Sequence, residues 1–203
     1  MNIETEKSGH GENSKVTEIN LSRDDNAEMA SIEDRLPELA RRTVETFVRE
    51  GRVLEVPCVS EASLLGQRAA CFVSIKIGEG DLRGCIGTVE PMKATLAGEV
   101  ITNAISAATR DPRFWPITIS ELPQLHYSVD VLSPPEPTRF EELNPKTYGL
   151  IVEDEHGRRG LLLPDLEGVE TAEQQMQIAA RKAGILSGAD VKLYRFRVRR
   201  YGE

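Results

Sequence analysis

What this sequence lacks already excludes several functions. No apolar run approaches the roughly 18 consecutive residues a membrane-crossing helix needs. Acidic residues come early and no apolar stretch follows a basic start, so neither a membrane span nor a secretory signal is expected, and the chain is read as cytoplasmic. Cysteine is scarce: Cys58, Cys71 and Cys85 are an odd number without CxxC spacing, which argues against a disulfide framework and a zinc site. They are read as reduced thiols. Histidine is equally sparse, with His10 in a polar N-terminal stretch, His126 in an alternating segment and His156 in a turn, so no pair has the i, i+4 spacing of a helical metal site. No metal is assigned. Nor is there a phosphate loop or dinucleotide fingerprint, since LRGCIG has the wrong glycine spacing, and no cofactor is expected. Positive charge is in deficit, 25 Lys and Arg against 33 Asp and Glu. The formal net charge of -8 repels nucleic acid from most of the surface, which makes nucleic acid an unlikely partner.

What is present is a regular alternation of helical and extended patterns. Residues 1–30 are polar, lack aromatics and show no period, so they are expected to form a weakly ordered tail ahead of a single domain over residues 31–203. Leu36, Leu39, Ala40, Thr43, Val44, Phe47 and Val48 recur at three and four residues, one face of a helix that Gly51 closes. Residues 51–68 have no clear period and read as an irregular loop. CFVSIKI then alternates, and after a Gly-Glu-Gly-Asp turn it should pair antiparallel with LRGCIGTVE. A helix is expected over Met92 to Thr109, ended by Asp111-Pro112. In LHYSVDVL, His126, Ser128 and Asp130 share one face, either the lining of a cleft or simply a wet sheet face.

From Tyr148 the order repeats: GLIVE, a turn, RGLLLP, a helix from Thr171 to Ala183, and a final strand around LYRFRV. An Arg-Gly pair follows the turn in both hairpins, Arg83-Gly84 and Arg159-Gly160. The repeat reads as an internal duplication of a hairpin-helix-strand unit, or as the common adjacency of hairpin and helix. Phe196 and Val198 are expected to be buried. Arg195, Arg197 and Arg199 alternate with them, a pattern that either binds an acidic partner or protects an edge strand.

The chemistry concentrates in DLRGCIGTVE. Gly84 and Gly87 cost conformational entropy inside a strand and mark a bulge or the close approach of another group. Arg83 and Cys85 point to one face unless a bulge at Gly84 shifts the register. A thiol beside a guanidinium binds or reacts, although a small buried cysteine on a crowded strand is equally common. In RDPRF, Arg110 and Arg113 either present guanidinium forks to an anion or staple the loop through Asp111 and Glu121.

The segments LRGCIGTVEP, NAISAATRDPRF, ELPQLHYSVDVLSPPEP and YGLIVEDEHGRRGLLLP, with the RKAG helix end, closely resemble the AMMECR domain family, also called AmmeMemoRadiSam system protein A. The resemblance covers most of residues 36–200. It implies an α+β fold of antiparallel sheets with flanking helices in two unequal lobes, and marks LRGCIG and RDPRF as hallmark segments. It brings no known reaction, but implies shared work with a Memo-type protein and a radical-SAM protein. Two function classes follow. One is a binding or adaptor domain that recognises a partner or an anionic small molecule through Arg83, Gly84, Gly87, Arg110 and Arg113. The other is a cysteine-dependent enzyme in which Cys85 attacks an electrophile, Arg83 lowers its pKa and His126 is the base.

Overall fold

The computed structural model describes residues 23–186 and 188–202, with side chains from residue 35 onward. The expectation of an N-terminal tail therefore lies outside the described residues as far as residue 22. Helix α1 spans Arg23–Glu50 and carries Pro37 inside it, so it begins ahead of the expected start at Ser31. Leu36, Ala40, Thr43 and Val44 are buried on one face, as their spacing requires. Gly51, at φ 67, closes the helix by donating its N–H to the Phe47 carbonyl, a left-handed cap that suits glycine. The loop that follows contains one short 3-10 turn, Leu64–Gly66.

Strands β1 (Cys71–Ile77) and β2 (Asp81–Gly87) form the first antiparallel hairpin. Helix α2 runs Leu96–Thr109, later than the expected Met92, with Thr95 as its cap. The buried Glu99 carboxylate accounts for the late start: it accepts hydrogen bonds from the Met92 and Lys93 N–H groups and the Thr88 hydroxyl, so the preceding residues wrap around it as a loop. Next come β3 (Leu125–Leu132), β4 (Glu136–Thr138), β5 (Gly149–Asp154), β6 (Arg159–Leu162), α3 (Ala172–Lys182), β7 (Val191–Phe196) and β8 (Val198–Tyr201).

The strands form two four-stranded antiparallel sheets, β2-β1-β3-β8 and β4-β7-β5-β6. This is the expected α+β class. The larger lobe packs α1 and α2 on the first sheet around Leu36, Val44, Val73, Ile75, Val100 and Val129. The smaller lobe packs α3 on the second around Leu150, Val152, Leu162 and Ala179. A third cluster, in which Ile151, Leu161 and Phe196 meet Phe72, Ala70 and Leu132, joins the lobes. Among the described residues no helix is long and apolar enough to cross a membrane.

The repeated order is matched in topology. The hairpin β1–β2 is followed by α2 and then β3 beside β1, and the hairpin β5–β6 by α3 and then β7 beside β5. Each half then lends one strand to the other, β4 joining β7 and β8 joining β3. The single final strand of the sequence reading is thus two strands in different sheets, with Arg197 at the crossing. Since β7 lies between β4 and β5, its arginine cannot protect an edge. Arg195 and Arg197 instead stack on the Tyr148 ring, 4.8 and 4.9 Å from its centroid, the cation–π use of arginine. Phe196 is buried as expected, whereas Val198 is only half-buried.

Candidate functional site

Residue pairing across the sheets defines the site. Ile75 pairs with Gly84 and Lys76 with Leu82, so Arg83 is the extra residue of a β-bulge. The bulge removes Arg83 from the alternation that would have set it beside Cys85. Its guanidinium turns to Glu121, with Nε 2.6 Å from Oε1, and lies over the Phe114 ring. Glu121 also accepts the Thr118 N–H and hydroxyl, and the Arg83 hydrogen bond is the main reason its carboxyl is lowered to about 2. Arg83 is thereby committed to holding the RDPRF loop on β2, and its buried Nη1 has no partner among the described residues.

The two glycines are filled from within the protein. A Cβ on Gly84 would overlap the Ala107 carbonyl of α2, and one on Gly87 would overlap the Phe72 ring. The close approach that these glycines permit is therefore that of a helix and an aromatic ring, which withdraws the sequence argument for a ligand above them.

Cys85 pairs with Ser74 on β1, and Ser74 with Ser128 on β3, so the three side chains form a polar row across the sheet face opposite α1 and α2. The Ser74 hydroxyl donates to the Cys85 sulfur at 3.2 Å. One row further, Asp130 pairs with Arg200 of β8, and their side chains form a two-point ion pair of 2.7 and 2.8 Å. Ser128 and Asp130 are 5% and 3% exposed, so this part of the polar face is buried and not wet. His126 is exposed. It stands two strands and two residues from Cys85, roughly 12 Å by strand spacing. The sequence pairing of His126 with Cys85 is not brought together.

The RDPRF loop closes the other side of Cys85. The buried Asp111 carboxylate accepts the Cys85 N–H at 2.9 Å and the Arg113 guanidinium at 2.7 and 2.9 Å. The Arg113 hydrogen bonds come first among the causes that hold the Asp111 carboxyl well below the usual range. Arg113 also lies 3.4 Å from the Cys85 carbonyl and stacks on Phe114. Arg110 caps α2 and is exposed. The staple reading of RDPRF thus describes Asp111–Arg113 and Glu121–Arg83.

One guanidinium group, that of Arg113, therefore stands beside Cys85, while Arg200 lies three strands away on β8. Arg113 and Arg200 are both raised above the usual arginine range, chiefly by their carboxylate hydrogen bonds. Each uses Nε and Nη2 on its aspartate, and each has an Nη1 without a partner among the described residues. Sequence reasoning missed Asp130, Arg200 and Ser74 as site residues. Asp130 did carry a signal, as part of the polar row, but its partner lies 70 residues later in another unit. Among the described residues no group of three or more His, Cys, Asp or Glu could hold a metal ion.

The smaller lobe shows what is particular about this face. There the matching row is Leu161, Ile151 and Tyr194, which builds the apolar joint between the lobes. The same position in the repeated unit carries a thiol and hydroxyls in one copy and apolar groups in the other.

A family model described as AMMECR1 matches residues 37–201. A protein of Thermotoga maritima is 51% identical over 164 residues, covering 80% of this chain and 94% of its own length. One of Clostridium acetobutylicum is 43% identical over 193 residues, covering 94% of the chain, which spans 41% of that longer protein. The fold matches the crystal structure of an uncharacterised protein from Pyrococcus horikoshii with a TM-score of 0.74 and 30% identity, over 84% of this chain and 90% of that one. With the hallmark segments LRGCIG and RDPRF meeting at Cys85 and the family model spanning both lobes, this chain belongs to the AMMECR1 family.

Proposed function

We propose that this chain is a cytoplasmic binding domain that recognises a carboxylate- or phosphate-bearing small molecule at Arg113, beside the Cys85 thiol. The observation that carries this reading is the Arg113 guanidinium, held by Asp111 and 3.4 Å from the Cys85 carbonyl, beside a half-buried thiol. Arginine forks held by aspartates are fixed in direction and keep donors for a second anion. The family resemblance adds, within the same proposal, that the bound molecule belongs to work shared with Memo-type and radical-SAM proteins.

Binding is favoured over a cysteine-dependent enzyme on geometry. A nucleophilic thiol needs a base within hydrogen-bond reach and a group that orients it. Arg83 is engaged by Glu121, and His126 stands two strands away. Ser74 donates a hydrogen bond to the sulfur and removes no proton from it.

Alkylation with a charged and a neutral reagent tests the anion site, with the exposed Cys58 as internal reference. The ratio of iodoacetate to iodoacetamide rates at Cys85 is expected to exceed that at Cys58 by about fivefold, a partly screened charge effect. Arg113→Gln should lower it. Equal ratios at the two thiols would overturn the reading.

A further inference from the structure

The smaller lobe leaves open a surface that the larger lobe covers. Three contacts fix the correspondence between them. Gly84 abuts the Ala107 carbonyl as Gly160 abuts that of Ala179. Ile75 pairs with Gly84 as Val152 pairs with Gly160, and Ile117 donates its N–H to the Ala108 carbonyl as Ile185 donates to that of Ala180, both at 2.9 Å. By the same register Met176 and Ala180 stand where Ala104 and Ala108 stand, and Val191 where Leu125 stands. In the larger lobe α1 packs on α2 and β3, and Ala104, Ala108 and Leu125 are buried in one cluster with Leu36, Ala40 and Val44 of α1. The smaller lobe has no such helix among the described residues, and Met176, Ala180 and Val191 are only half-buried. With Val152, Ile185 and Leu186 they border a groove of about 580 Å³. Leu186 stands 78% exposed on it, whereas Leu122 in the longer link after α2 is buried. Among the described residues Arg181 is the one charged side chain on the groove, and its guanidinium has neither an ion pair nor a hydrogen bond there.

We infer that this groove receives an amphipathic helix of a partner protein, with an apolar stripe spaced like Leu36, Ala40 and Val44 of α1 and an acidic side chain that meets Arg181. The groove lies in the other lobe from Arg113 and does not depend on the anion site proposed there. The kind of occupant is read from the larger lobe, where a helix covers the corresponding surface. Helices dock in such grooves through apolar anchors at i, i+3, i+4 and i+7. The charge of the occupant follows from Arg181, since a carboxylate opposite an unpaired guanidinium gains a charge-assisted hydrogen bond that this chain does not supply. A second copy offers no free stripe, because among the described residues α1, α2 and α3 turn their apolar faces to their own sheets.

The test selects occupants by their chemistry. A displayed library of peptides of about 18 residues, roughly five helical turns, with Leu or Ala fixed at i, i+4, i+8 and i+11 and the other positions random, is panned on the full chain. Enriched peptides are then measured by fluorescence anisotropy. They are expected to carry Asp or Glu beside the stripe. Arg181→Glu should weaken them about fivefold, the scale of one exposed ion pair, and the same peptides with lysine at the acidic positions should regain affinity for that variant. Leu186→Glu, a change at an exposed position, should weaken them about tenfold. A proline at the centre of the peptide should abolish binding. No enrichment, or binding that neither Arg181→Glu nor Leu186→Glu alters, overturns the inference. Full binding of the proline peptide overturns the helix. Decanoate binding as tight as that of the peptides and lost in the same variants would make an apolar acid the occupant, and a dimer in sedimentation that Leu186→Glu dissolves would make it a second copy; either result overturns the partner helix.

Discussion

Gly84 of β2 lies so close to the Ala107 carbonyl of α2 that any side chain there would overlap it, and Gly160 of β6 stands in the same relation to Ala179 of α3. The Arg-Gly pairs of both hairpins therefore exist to let a helix backbone touch a strand. Gly84→Ala and Gly160→Ala should each destabilise by about 2 kcal/mol or more, the scale of overpacking against a backbone that cannot yield. Gly78 faces open space at φ 60, so alanine there should cost nearer 1 kcal/mol. Urea midpoints would compare them, and a neutral Gly160→Ala would break the equivalence of the two halves.

Phe196 ends β7, is 2% exposed and joins the two lobes with Ile151 and Leu161. Phe196→Ala should lose about 3–5 kcal/mol. Arg197→Ala removes an exposed stack and one hydrogen bond to Tyr148 and should lose much less, about 1 kcal/mol. A reversed order in thermal melts would refute the placement of the joint.

Asp111 gathers the Cys85 N–H and the Arg113 backbone and guanidinium. Asp111→Ala should destabilise by about 2 kcal/mol, because it leaves a part-buried donor unpaired. Amide exchange at Cys85 should rise with it. Asp111→Asn keeps an acceptor and should slow that exchange again; equal exchange in both variants would mean that the carboxylate does not hold the loop.

Acid should loosen the same loop. The Glu121 carboxyl is lowered from 4.5 to about 2, so its contribution is present above about 4.5 and is lost as pH falls through about 2. Asp111 is shifted in the same direction and adds to the slope. Glu121→Gln should therefore flatten the stability curve between those two values. An unchanged slope would show that the Arg83 pair is not what acid breaks.

Burial pushes the Cys71 thiol up to about 12, and its carbonyl accepts the Asn103 amide. At pH 8, iodoacetamide should label Cys58 and Cys85 and spare Cys71, which should react only once urea unfolds the chain. Early labelling of Cys71 would contradict its place in the core.

Much of the architecture was legible from side-chain periods, which are local. The alternation in CFVSIKI and LHYSVDVL and the three-four spacing of Leu36, Ala40 and Val44 follow from backbone geometry that neighbouring residues share. The start of α2 was not legible, because Glu99 diverts the backbone N–H groups of Met92 and Lys93 from a helix their composition would allow. The break at Arg197 was hidden for a related reason: Phe196 and Val198 continue one alternation while their strands belong to different sheets.

By itself, then, the sequence determined most of the elements and the family resemblance. Only the tertiary structure decided the site. The bulge at Arg83 turned that guanidinium from Cys85 to Glu121, and the exchange of β4 and β8 brought Arg200 to Asp130. Register shifts and strand order are set by contacts between residues far apart in the chain, and no local period encodes them.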